Sequence, residues 1–232
     1  MDADTEIGGP GGTFPETHTS AVRGAGSADP ARRQLSHSAI VSSYWKPVYR
    51  YIRIRFGKSN EDAKDLTQSF FTLAIGDDFL AGFEPERGRF RTYLRTCLDG
   101  FLSNQHKYDG RLKRSSEFVP LPQNLASESS VEDIFQREWA REVFARAVNE
   151  LRQRMHRKGH AIHFEVFQRY DLADERPTYQ ELGLELKLST SHVTNYLAAA
   201  RREFRAVLQE LLRETTANER EMRLEMIALM GQ

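Results

Sequence analysis

The chain holds one cysteine, Cys97, in 232 residues. With no second thiol an internal disulfide is excluded, and with no CxxC pair there is no redox or zinc motif, so a reducing, cytoplasmic setting is expected. No stretch approaches the about 18 consecutive apolar residues of a membrane span. The opening MDADTEIGGPGGTFPETHTS lacks the basic and apolar segments of a secretory signal, and no membrane partner is expected. There is no GxGxxG, Walker A loop or GxSxG, so a dinucleotide site, a phosphate cradle and a nucleophile elbow are all missing. An enzyme is therefore not expected, nor a cofactor. The seven histidines show neither zincin nor zinc-finger spacing. His156, His160 and His163 come closest, at intervals of four and three, and read as surface residues with no metal.

Charge of one sign is also lacking overall, with 33 basic and 33 acidic side chains. The balance conceals blocks. Residues 32–58 carry seven Lys or Arg and no acid; residues 59–86 carry seven acids against Lys64 alone; residues 87–114 return to eight bases against Asp99 and Asp109. Such alternation suggests two kinds of surface, one that meets an anion and one that meets a basic partner.

What is abundant is helical periodicity. Residues 1–13 are rich in Gly and acid, residues 23–30 read as a loop, and residues 1–30 as a whole are expected to form a largely disordered leader. Ile40, Val41, Tyr44, Trp45, Val48, Tyr49, Ile52 and Phe56 then recur at i, i+3/i+4 spacing up to a stop at Gly57. Ser59 or Asn60 caps the next helix, whose apolar positions are Ala63, Leu66, Phe70, Phe71 and Leu73. A third helix buries Phe90, Leu94, Cys97, Leu98, Phe101 and Leu102, which places Cys97 in a core. Residues 31–108 thus predict one helical domain. Residues 109–130, with two prolines and many serines, read as a linker. Residues 131–214 predict a second helical domain and residues 215–232 a helical tail. Its end carries TYQELGLELKLSTSHVTNYLAAARREFRAVLQELL. There Thr178 and Glu181 have capping-box spacing, and two short helices flank a tight turn as in a helix-turn-helix unit. The predicted fold class is all-α, with two helical domains on a flexible linker.

The segments YWKPVYRYIRIRFGKSNEDAKDLTQSFFTLAI and DFLAGFEPERGRFRTYLRTCLDGFLSNQ resemble region two of sigma factors of the sigma-70 family, extracytoplasmic-function type. The helix-turn-helix segment is similar to their region four, and FPETHTSAV resembles a leader found in one subgroup. Together these cover about two thirds of the chain. The resemblance implies a sigma region 2-like bundle, a sigma region 4-like domain, and a protein that binds core RNA polymerase, recognises promoter DNA and directs melting and initiation. An anti-sigma factor or a regulatory kinase would be further partners.

The resemblance also implies which residues take part. Asp62, Asp65 and Gln68 fall at positions that dock on the polymerase, three apart along one helix face. Arg87, Arg89, Phe90, Arg91, Tyr93 and Arg95 correspond to the part that melts the minus-ten element, and they combine aromatic faces for unstacked bases with cations for phosphates. Asn104, Lys107, Arg111, Lys113 and Arg114 continue a basic track. Thr190, Ser191, His192, Thr194, Asn195, Arg201 and Arg202 correspond to the reader of the minus-thirty-five element. The sequence departs from the family at Thr194, Ala198 and Ala199, which weakens phosphate attraction and implies dependence on polymerase for DNA affinity. Thr67, beside the acidic face, is a candidate phosphorylation switch. Two other classes fit parts of the pattern. One is a dimeric helix-turn-helix regulator joined through a stripe of Met222, Met226, Ile227 and Met230. The other is an adaptor with a decoy sigma fold.

Overall fold

A computed structural model describes the backbone of residues 20–76, 79–112 and 128–230, and the side chains of these except 106–112 and 128–132. Nine helices and two 3-10 turns make up the regular structure of the described residues, with no strand among them. They are α1 (Ala21–Gly24), α2 (Pro30–Phe56), α3 (Asn60–Gly76), the 3-10 turns Phe79–Gly82 and Pro85–Arg87, α4 (Phe90–Leu112), α5 (Glu128–Arg157), α6 (Ala161–Asp171), α7 (Tyr179–Leu186), α8 (Thr190–Thr215) and α9 (Glu219–Met230). The chain divides into two compact units. The first comprises Met1–Ala140 and Arg213–Leu224; the second comprises Arg141–Leu212 and Glu225–Gln232. No described helix is long and apolar enough to cross a membrane.

Local chemistry sets the helix ends of the first unit. Asp29 accepts from the Ala31 amide at 3.0 Å and Pro30 occupies the first helical position, where its missing N–H costs nothing. Gly57 ends α2 in the left-handed region at φ 59°. Ser59 Oγ accepts from the Asp62 amide at 3.1 Å and donates to Asp62 Oδ2 at 2.8 Å, so the acid that follows the cap also supports it.

Behind these ends α2, α3 and α4 bury one apolar stripe each. Ile40, Tyr44, Val48, Tyr51 and Ile52 of α2 face Phe70, Phe71 and Ala74 of α3 and Leu94, Leu98 and Phe101 of α4 in one core. Aromatic edges knit it together, as in Tyr44–Phe90 at 5.6 Å and Phe70–Phe101 at 5.7 Å between ring centroids.

Three features of the first unit lie outside the expected domain limits. Residues 20–25, expected within a disordered leader, form a helical turn that packs against α2. Ala21, Val22 and Ala25 are buried, and the buried His37 Nε2 lies 3.2 Å from the Ala25 carbonyl. Residues 1–19 of that leader, like most of the expected linker, lie outside the described residues. The start of α5 also joins this core: Phe135 meets Tyr51 edge-on at 5.5 Å, and Arg50 bonds the buried Glu138 at 2.9 Å. Finally, Arg213–Leu224 belongs to the same unit, although the sequence pattern places it in the second domain and a tail.

The close packing of α1 on α2 requires Gly24. A Cβ there would stand 2.1 Å from Ser36 Oγ. Gly24→Ala should therefore destabilise the unit by about 1–3 kcal/mol through overpacking. Adding Ser36→Ala should restore more than half of that, read by urea denaturation. Equal loss in single and double variants would contradict the packing argument.

The second unit buries Ala147, Leu151 and Met155 of α5, Phe164, Val166 and Phe167 of α6, Leu182 of α7, and Val193, Leu197, Ala200, Phe204 and Leu208 of α8. Arg154 ties two of these helices, bonding Glu150 at 2.7 Å and Glu210 at 3.1 Å. Partner carboxylates hold its guanidinium well above the ordinary arginine range, so it stays charged.

Candidate nucleic-acid and partner-binding surfaces

The acidic face of α3 follows from its cap. Since Ala63, Thr67 and Phe70 face inward, Asp62, Asp65 and Gln68 fall together on the outward face, and all three are exposed. Asp62 is also engaged with Ser59, so it acts both in the cap and on the surface. Thr67 does not fit a phosphorylation switch. It is fully buried and its hydroxyl donates to the Ala63 carbonyl at 2.7 Å, so a kinase has no access without unfolding α3.

The loop before α4 and the first turns of that helix gather the residues assigned to melting, in unequal states. Arg87 is exposed and pairs with Glu84 at 2.8 Å, Arg89 is half-buried, and Asn104 is exposed further along. Phe90 is 0 % exposed, set among Tyr44, Phe83 and Tyr93. Arg91 is 3 % exposed, its guanidinium 4.7 Å over the Trp139 ring. In this arrangement neither presents itself to a nucleic acid. Tyr93 donates to the Phe79 carbonyl at 2.7 Å, and burial, with Cys97 beside it, pushes its phenol up to about 12. Arg95 is held by Asp99 at 2.9 Å. Cys97, expected in the core, is only half-buried, and the burial it has raises its thiol. The side chains of Lys107 and Arg111, and all of Lys113 and Arg114, lie outside the described residues.

Sequence reasoning missed Glu221. Its Oε1 accepts from the Phe90 amide at 2.7 Å, across 131 residues of chain, while Oε2 accepts from the Ala217 amide at 2.8 Å. The local signal was an Asn-x-x-Glu spacing, since Asn218 Oδ1 caps α9 by accepting from the Glu221 amide at 2.8 Å. In a reciprocal capping box that carboxylate would turn back to its own cap residue; here one oxygen goes to the start of α4.

The helix-turn-helix in the second unit is built by three local devices. Thr178 and Glu181 form the reciprocal capping box: Thr178 Oγ1 accepts from the Glu181 amide at 3.2 Å, and Glu181 Oε2 accepts from the Thr178 amide at 2.7 Å. Those bonds hold the Glu181 carboxyl below its ordinary value. Lys187 ends α7 in the left-handed region at φ 55°, and the Leu188 amide returns to the Gly183 carbonyl at 2.8 Å. Ser189 starts α8, its Oγ accepting from the His192 amide at 3.2 Å. A non-glycine residue in that left-handed turn is strained, so Lys187→Gly should raise stability by up to about 1 kcal/mol. Thermal unfolding of the two proteins checks the sign.

This turn exposes Thr190, Ser191, His192, Thr194 and Asn195 on the first turns of α8, and Arg202 further along. Arg201 stands apart: its Nε and Nη2 bond both oxygens of Asp171, at 2.8 and 2.7 Å, which raises its pKa and commits its charge to α6. Tyr196 was also missed. Its ring stacks between His163 at 4.2 Å and His192 at 5.6 Å, with His160 continuing the stack 4.7 Å beyond His163. Burial lowers the His163 pKa, and His160 adds to the shift, so this imidazole favours its neutral form. Among the described residues no group of three or more His, Cys, Asp or Glu side chains could hold a metal ion. No family model matches the chain, and no match is found among curated proteins or solved structures.

Proposed function

We propose that the chain is a sigma factor of the extracytoplasmic-function type: it binds core RNA polymerase, recognises promoter DNA and directs melting and transcription initiation. In this reading the first unit holds the region 2-like bundle and the second the region 4-like helix-turn-helix domain; the expected linker, residues 109–130, falls within the span of the first unit rather than between the two. The observation that carries it is the exposed row of Asp62, Asp65 and Gln68 on α3. A DNA-binding surface alone would leave that acidic row without a role, whereas a basic partner protein gives it one. The exposed polar start of α8 supplies the second contact, with phosphates and base edges within reach of Ser191, His192, Thr194 and Asn195.

Run-off transcription with purified core enzyme tests the proposal directly. The factor should direct initiation from discrete start sites, and a gel shift on the same DNA should need core. A chain that never initiates under any condition is not a sigma factor. A second reading, the dimeric regulator, keeps only part of its expected stripe: Ile227 and Met230 are exposed large apolar residues, whereas Met222 is buried and Met226 half-buried, so neither is free to form a dimer seam. A dimeric regulator would shift duplex DNA without polymerase.

A further inference from the structure

A buried acid of the C-terminal segment, Glu221, sits where the proposed melting element begins. Glu221 is 6 % exposed, and its two oxygens take the backbone amides of Phe90 and Ala217. Around it Thr215, Thr216, Ala217 and Met222 are buried as well, so the segment is a packed part of the first unit. A carboxylate beside the first turn of α4 is electrostatically at home there, because the free amides of a helix start favour negative charge. It is also in the way. Under the reading above, the DNA strand brings its own phosphates to Arg87 and Arg89 in the loop that runs directly into Phe90, where Glu84 already pairs with Arg87. A buried carboxylate and a phosphate cannot share that position, and the like charges repel.

We propose that residues 213–224 form an inhibitory strap, docked through Glu221, which must lift from the start of α4 before the promoter strand can engage it. The inference rests on the sigma-factor reading and adds a regulatory step to it. The strap holds the free factor in a form that meets polymerase through α3 but opens DNA poorly. Lifting it exposes the α4 amide and removes one negative charge from beside Arg89 and the start of α4. A hydrogen bond to a charged group sets the scale of the hold, at about tenfold to a hundredfold in the docked population.

The test measures promoter opening by wild type, Glu221→Gln and Glu221→Ala with core polymerase, using 2-aminopurine in the minus-ten strand of a duplex promoter mapped by run-off transcription. Gln can accept from only one of the two amides and carries no charge, so opening should accelerate in the order wild type, Gln, Ala. The span should be about tenfold, with core affinity unchanged. A merely structural Glu221 would instead give equal or slower opening, and that result overturns the strap while leaving the sigma-factor reading intact. If wild type opens no promoter with core, the underlying reading fails and the strap with it. Hydrogen exchange on the wild-type chain covers the case of a variant that does not fold. While residues 88–92 exchange one cover, the strap, for another, the promoter strand, residues 213–224 should be protected in the free factor and lose protection in the open complex. Protection retained in the open complex refutes the proposal.

Discussion

Replacing Asp65 by lysine should weaken association with core polymerase by about thirtyfold, and replacing Asp62 and Asp65 together by at least a hundredfold, as like charges set against a basic partner cost several kcal/mol. The two positions differ in what else they do. Asp62 accepts from Ser59 and lies in the first turn of α3, so Asp62→Lys also removes capping support and sets a cation against the helix dipole, at about 1 kcal/mol of stability. Asp65 has no part in that cap and is exposed, so Asp65→Lys should leave the urea midpoint unchanged. Fluorescence anisotropy of labelled factor against core reads the affinity, and the effect should shrink as salt rises. Unaltered binding by the double variant would remove the main support for a polymerase-bound function.

The contrast between those two acids shows what a sequence displays and what it hides. Helix existence and helix ends were legible because their causes are local: Gly57 past the last apolar residue of α2, Ser59 before α3, and the Thr178–Glu181 box before α7 all act within a few residues. The exposed row on α3 was legible for the same reason. Partners distant in sequence were not. Periodicity marks Phe135 and Trp139 as inward-facing on α5, yet says nothing about which core receives them, and they enter the first unit. Arg201 looked like a phosphate ligand because its type and position suited one; Asp171, thirty residues earlier, takes its charge. Residues 23–30 read as a loop in a largely disordered leader, whereas Gly24 permits a close approach to Ser36. The departures at Ala198 and Ala199 leave α8 with fewer cations, and the engagement of Arg201 deepens that deficit. Under the sigma-factor reading, affinity for free DNA should then be lower still, and the unit should need polymerase to hold it near its site.

Trp139→Ala should cost the first unit about 3–5 kcal/mol, the largest single loss expected of any side chain described, as is typical for removing a buried aromatic. Two effects combine. Trp139 is 2 % exposed, so its removal leaves a cavity that neighbouring side chains fill only in part. Its ring is also the face beneath the Arg91 guanidinium, which is itself 3 % exposed. A buried cation that loses its aromatic face loses a favourable contact in addition to the packing, so the penalty should exceed that of the cavity alone. Trp139→Phe keeps a ring and should recover more than half of the loss, while Arg91→Met, which fits the same space without charge, should make the later loss of Trp139 milder. That non-additivity, measured as a double-mutant cycle by urea denaturation, separates a cation–π contact from simple filling of space. Strict additivity would mean that Arg91 is indifferent to the ring. The cycle then bears on function: if Arg91 is held by Trp139 in the free protein, Arg91 can reach a promoter strand only by leaving a stabilising contact. Trp139→Phe, with the weaker face, should then release it more readily.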